Sequence, residues 1–282
     1  IIERSAGQII TIIGSFAKPP RLLLELLRSY EYADLKSALR SLADGELKEP
    51  VFTDLGPFGR VKFSAYPDLK AMLEGTDFAF LIPEISENLK AAGEIEIQAK
   101  LDRHYYTALW EALHSCPRRD REGIGHILAE EISLRNAIWA LRLRTYYGLG
   151  PEEARERLAA PELPKGRRSP AAKALLEDAL ASLELPLDSR GPWKRWPRAD
   201  MLNPEEPGGI WRADPRHFQN AASAYLYRLT RMYFRRRPFS LDSASCFIKL
   251  KQFEEDLLTS IAEGLGLGLP SGEIFTILEL KP

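Results

Sequence analysis

Written out at the helical period, residues Ile127 to Leu143 carry two apolar stripes rather than one. Ile127, Leu134, Ala137, Ile138 and Leu141 share one face, and Leu128, Ile132, Trp139 and Leu143 share another, more than a third of a turn away. A narrow polar lane with Glu131, Arg135 and Arg142 runs between them. A helix on a protein surface needs a single apolar stripe, so this segment is expected to be buried on two sides, with Ile138 and Trp139 both largely inaccessible and Asn136 hydrogen-bonded between helices. The same 3.6-residue rhythm recurs along most of the chain. "PPRLLLELLRSYEYADLKSALRSLADGE" opens on prolines suited to a first turn and closes near Gly45, and "PDLKAMLEGTDFAFLIPEI" starts at Pro67-Asp68 and breaks at Pro83. "EIEIQAKLDRHYYTALWEAL", "GPEEARERLAA", "SPAAKALLEDALASLEL", "PRHFQNAASAYLYRLTRMYFRRR" and "SLDSASCFIKLKQFEEDLLTSIAEGLGLGLPSGEI" complete the helical set. Strand-like alternation is confined to Val51–Tyr66, a candidate extended pair, and "IFTILEL" near the end. The expected fold class is all-α.

The pattern also repeats. "DLKSALRSL" (Asp34 to Leu42) aligns with "SLRNAIWAL" (Ser133 to Leu141) at an offset of 99 residues, 134 minus 35, taking Leu35 onto Leu134. "FIKLKQFEEDLLTSIAEG" (Phe247 to Gly264) follows a little more than another hundred residues on. After each of the first two come a short helix and then a longer aromatic-rich one. Repeated helical modules bury their faces on one another. The expected organisation is therefore three pseudo-repeated modules, 1–95, 96–190 and 191–282, within one compact unit.

Composition narrows the chemistry. The chain has 282 residues, 45% hydrophobic and 28% charged, with a formal net charge of -1. That is a soluble globular composition, and near-neutrality argues against a general nucleic-acid binder. Two cysteines and four histidines, without a ligand-spaced pair, point to no metal site and no disulfide framework. The fitting compartment is a reducing cytoplasm. No stretch reaches the roughly 18–20 apolar residues of a membrane span, so membrane contact is expected only through partners. The chain starts at Ile1 rather than Met, which leaves room for a preceding piece.

Candidate active groups dissolve on inspection. Asp102, His104 and Tyr105 in "DRHYY" suit acid–base work, but neighbours on a helix diverge by about 100°. Glu130 and Glu131 diverge likewise. The run Arg231 to Phe239, with Arg235–Arg237, could grip a phosphate backbone, yet it also sits where cations belong at a helix C-terminus. "GLGLGLPSG" follows a helix and lacks the lysine of a phosphate loop. "GPWKRWPR" reads either as a packed loop or as a partner-binding edge. Nothing here calls for catalysis or a cofactor.

The ordered series "EYADLKSALRSL", "DLKAMLEGTDFAFLI", "LDRHYYTALWEAL", "EEISLRNAIWALRLRTYYGLGPEE" and "PFSLDSASCFIKLKQFEEDLLTSIAEGLGLGLPSGEI" resembles the C/d family of V-type ATPase rotor subunits, C-type in bacteria and archaea and d-type in eukaryotes. The matching positions are Gly75, Thr76 and Phe78; Asp102, Tyr105 and Tyr106; Asn136, Arg142 and Arg144; and Lys251, Glu254 and Gly264. The likeness runs from about Tyr30 to Ile274. It departs at Ser37, Ser133, Leu257 and Thr259, and Arg190 to Pro215 matches no part of the pattern. The resemblance implies a non-catalytic rotor component, funnel-like, that seats on the membrane rotor ring, receives the central stalk and passes torque between ATP turnover and ion translocation. It implies structural roles for the matching positions. The competing readings are a helical enzyme built on Asp102, His104 and Tyr105, and a helical-repeat module binding peptide or RNA through Arg235–Arg237.

Overall fold

The computed structural model describes residues 1–45, 50–83, 94–161, 173–205 and 208–278. The fold is all-α, and no β-strand occurs among the described residues. The helices group into two compact units, Ile1–Ser115 and Cys116–Pro282.

In the first unit, α1 (Ile2–Gly14) packs on α2 (Arg21–Leu27) through buried Ile9 and Ile13. The single helix expected from Arg21 to Gly45 is broken at Arg28, which separates α2 from α3 (Ser29–Asp44). Gly45 does end α3, in the left-handed conformation at φ 70°, which costs glycine nothing. α4 (Leu69–Leu73) starts as the sequence suggests, with the Asp68 carboxylate accepting the Ala71 N–H. α5 (Glu94–Ser115) lies against α2 and α3. Leu35, Leu39, Met72, Leu73, Phe78, Leu81 and Leu101 form the core between α3, α4 and α5.

The stretch Val51–Tyr66 is not an extended pair. It is irregular chain with single 3-10 turns at Gly56–Phe58 and Phe63–Ala65. The reason lies on α3. Glu31 is buried, and one of its carboxylate oxygens accepts the backbone N–H groups of Arg60 and of Val61 (2.6 Å). Asp34 accepts the Thr53 N–H at 2.6 Å. Backbone donors that a strand partner would satisfy are met by two side chains one helical turn apart.

The second unit is built around α6 (Glu122–Thr145), which is buried on both sides. One side packs on α7 (Pro151–Glu156) and α8 (Glu177–Leu183), the other on α9 (Pro215–Arg236) and α10 (Leu241–Gly266). The double stripe thus has its partners. Ile138 and Trp139 are mostly but not fully buried, and the Trp139 ring stands edge-on to Tyr147 at 6.2 Å. Near the end, "IFTILEL" is helical rather than extended as far as α11 (Ser271–Ile277), and its last residues lie outside the described ones. α11 closes tightly on α10: a Cβ on Gly264 would stand 3.0 Å from Ile274. The stretch Gly191–Arg198 is a loop anchored by its two tryptophans. Trp193 is fully buried and Trp196 nearly so, and their indole N–H groups donate to the carbonyls of Pro186 (2.6 Å) and Asp178 (2.8 Å).

Candidate functional site

The singled-out positions of the first unit gather around one aromatic cluster. Gly75 takes φ 76°, which lets the chain leave α4. The Thr76 hydroxyl donates to the Leu73 carbonyl (2.6 Å) and accepts the Phe78 N–H (3.1 Å), fixing the turn that drives Phe78 inward. Phe78 is buried edge-on against Tyr32, with ring centroids 4.9 Å apart, and Tyr105 lies 5.0 Å from Tyr32 on another side. Tyr106 is buried beside Tyr105.

His104 joins this cluster through a 2.6 Å hydrogen bond between its Nδ1 and the Tyr32 hydroxyl, with the Phe78 and Phe80 rings alongside. Burial pushes the His104 pKa down, against a weaker upward pull from Glu25 and Glu111, and burial pushes the Tyr32 phenol up. Both groups are thereby held neutral near pH 7. Asp102 points elsewhere, into an ion pair with Lys36 at 2.5 Å. His104 and Tyr105 therefore both meet Tyr32, while Asp102 faces away from them toward Lys36.

In the second unit each marked residue of α6 reaches a different neighbour. Asn136 does not bridge two helices; it clasps the chain just after α7. Its amide oxygen accepts the Ala159 N–H (2.8 Å), while its Nδ2 donates to the Ala159 carbonyl (2.8 Å) and back to the Ile132 carbonyl (2.9 Å). Arg142 donates to the Gln219 side chain on α9. Arg144 closes α8 by donating to the carbonyls of Ser182 (2.9 Å) and Leu185 (2.8 Å). Lys251 and Glu254 pair with each other near the surface of α10. Gly264 is the contact point for α11. These positions do not converge on a cleft; apart from the Lys251–Glu254 pair within α10, they join one element to another.

Sequence reasoning missed the stronger joints. Asp242, in the first turn of α10, spends its carboxylate on α6: it accepts the N–H groups of Gly123 (3.1 Å) and Ile124 (2.9 Å). Two orphan donors of that helix are met from 118 residues away. Gly123 is required there, because a Cβ would stand 2.7 Å from the Tyr233 ring and 3.0 Å from Asp242. Glu131, buried in the lane between the stripes, pairs with Lys249 of α10 (2.8 Å) and with Arg135 (3.2 Å). Burial alone would raise its pKa, but the two cations hold it below the ordinary value. Arg198 binds Glu130 (3.0 Å) and Asp178 (2.7 Å), tying the tryptophan loop to α6 and α8. The i,i+4 spacing of Glu131 and Arg135 was visible in the sequence; Lys249 carried no local signal. Among the described residues no group of His, Cys, Asp or Glu is arranged to hold a metal ion, and no helix there is long and apolar enough to cross a membrane.

Comparison with known families says what this helical framework belongs to. The model of the ATP synthase (C/AC39) subunit family matches residues 8–275, so the chain belongs to that family of V-type ATPase and ATP synthase subunits. A protein of Treponema pallidum (strain Nichols), described as uncharacterized, is 28% identical over 255 residues, covering 90% of this chain and 72% of its own length. No solved structure matches the chain.

Proposed function

We propose that the chain is a non-catalytic central-rotor component of a V-type ATPase or ATP synthase, joining the membrane rotor ring to the central stalk and carrying torque between ATP turnover and ion translocation. The observation that supports this reading is the family match over residues 8–275. The cross-linked interior is in keeping with it, since a torque-bearing part must resist twisting. On this reading Gly75, Thr76, Phe78, Asp102, Tyr105, Tyr106, Asn136, Arg142, Arg144, Lys251, Glu254 and Gly264 serve structure rather than chemistry. The three-module organisation belongs to the same proposal, supported by the 99-residue offset between Leu35 and Leu134. The protein would lie at the cytoplasmic face, peripheral to the membrane and held there by ring and stalk subunits.

The test is tagged recovery of the chain from gently solubilised native membranes. Ring and stalk subunits should co-purify, and a strain lacking the chain should lose ATP-driven ion pumping. Recovery without any ATPase component, in cells that make the complex, would overturn the reading.

A further inference from the structure

Charge is unevenly spread in this nearly neutral chain. α9 has five arginines, Arg216, Arg228, Arg231, Arg235 and Arg236, and no Asp or Glu in its 22 residues. Its buried face carries Phe218, Ala222, Leu226 and Leu229. At the helical period, Arg228, Arg231, Met232 and Arg235 fall together on the opposite side, and all four are exposed. From Arg228 to Leu241 there are five arginines and no acid.

The turn after α9 extends this face. Phe239 is fully exposed and held at φ 62°, a conformation that a bulky residue adopts at a cost of roughly 1–2 kcal/mol. Packing does not explain a phenylalanine there, since its ring is open to solvent. The turn Arg118–Asp120 lies alongside, because Arg237 donates to the Arg119 carbonyl (2.5 Å) and pairs with Glu122 (2.5 Å). Arg118 and Arg119 add two more exposed cations.

The nearby acids are already engaged. Glu122 holds Arg237, Asp120 lies 3.6 Å from Arg119, and Asp242 is buried against the start of α6. Arg228, Arg231 and Arg235 have no ion-pair partner among the described residues. The result is a cationic stripe with Met232 and Phe239 protruding from it.

We propose that the exposed face of α9 and the α9–α10 turn dock directly on an anionic lipid surface. Three features favour lipid over a polyanion such as RNA. The cations lie on the outer face of a single helix and the turn after it. Of the two protruding apolar side chains, only Phe239 carries a ring on which a base could stack. Apolar side chains projecting among unpaired arginines gain most where a charged surface covers a hydrocarbon layer. This contact goes beyond the coupling role proposed above and adds to the partner-mediated attachment described there.

The test is co-sedimentation of the full chain with vesicles of phosphatidylcholine alone, or with about a third phosphatidylglycerol. Binding is expected only to the anionic vesicles, and it should fall as added salt shortens the screening length. R228Q/R231Q/R235Q should weaken binding on the order of a hundredfold, at about 1 kcal/mol per cation near such a surface. The matching triple lysine variant should bind within a few-fold of wild type, because the surface attracts charge rather than the guanidinium fork. F239S should weaken binding several-fold and leave the salt dependence unchanged. R4Q/R155Q/R212Q removes the same charge from exposed sites elsewhere and should bind normally. Unchanged thermal unfolding of each variant separates lost binding from lost folding.

Absent binding to anionic vesicles at low salt would overturn the proposal. So would equal binding to neutral vesicles, an equal loss in R4Q/R155Q/R212Q, or single-stranded RNA bound in place of vesicles. The vesicles contain no protein, so failure here leaves the co-purification test of the coupling role unaffected.

Discussion

Glu31 and Glu131 are both buried glutamates on the central helices of their units, yet their proton affinities move in opposite directions. Burial, helped by the nearby Glu25 and Asp34, outweighs the backbone N–H groups that Glu31 receives from Arg60 and Val61 and the pull of Arg28, which is itself paired with Glu25, so its pKa rises above 4.5. Glu131 is buried as deeply, but Lys249 and Arg135 stand against it and its pKa falls below 4.5. Backbone dipoles, beside a cation already paired elsewhere, organise a loop at the expense of an uncomfortable carboxylate. A full counter-charge fixes helix on helix and leaves the carboxylate comfortable, provided the partner stays. Burial alone does not decide what a buried acid does; the charge it faces does.

The contrast is tested most severely by taking one partner away. Lys249→Met leaves Glu131 buried without its main counter-charge and should lower unfolding free energy by about 3–5 kcal/mol in denaturant titration. E131Q/K249M should recover most of that loss. Little change in the single variant would mean that Glu131 does not depend on its cation.

Gly123→Ala pushes a methyl into the Tyr233 ring beside the Asp242 cap, and about 1–3 kcal/mol should be lost in the same titration. Asn136→Ala tests a receptor that is neutral, unlike Glu31. It strands the Ala159 N–H and carbonyl, so a loss of about 1–3 kcal/mol is expected, constant from about pH 4 to 8 because no charge is involved.

The pH dependence separates the two glutamates directly. Glu31, with a raised folded pKa, supplies stability that is full below 4.5 and is lost as pH rises through the folded value. Asp34 is raised by burial as well and acts in the same sense above 3.8. Glu131, with a lowered folded pKa, supplies stability that is present above 4.5 and is lost as pH falls through the folded value. Mild acidification from neutrality should therefore relieve the first unit, and stronger acid should weaken the second. In melting curves recorded against pH, Glu31→Gln should flatten the upper limb and Glu131→Gln the lower one. The opposite pattern would exchange the two assignments. The smallest effect is expected at Lys36→Ala: the Lys36–Asp102 pair is partly exposed, and its loss should cost under about 1 kcal/mol.

Much of the fold was legible because helices announce themselves locally. Pro67-Asp68 starts a helix, Gly45 stops one, and the double stripe from Ile127 to Leu143 required burial on two sides. What was illegible depended on distant residues. Val51–Tyr66 alternates like a strand, and nothing within it reveals that Glu31 and Asp34 take its backbone donors. Asn136 stood out as polar, while its partner Ala159 is a residue without any signal. Lys251 and Glu254 fit a family pattern at the surface, whereas Lys249, two residues earlier, makes the buried contact.

The cap on α6 also sets an order in time. Gly123 and Ile124 leave the ribosome well before Asp242, the group that receives their N–H groups, has been made. At about 5–20 residues per second the wait is roughly ten seconds. The first unit, whose described joints all lie within Ile1–Ser115, can finish during that interval. In the second, the first turn of α6 stays open until α10 has been made, and water has to meet its backbone donors in the meantime.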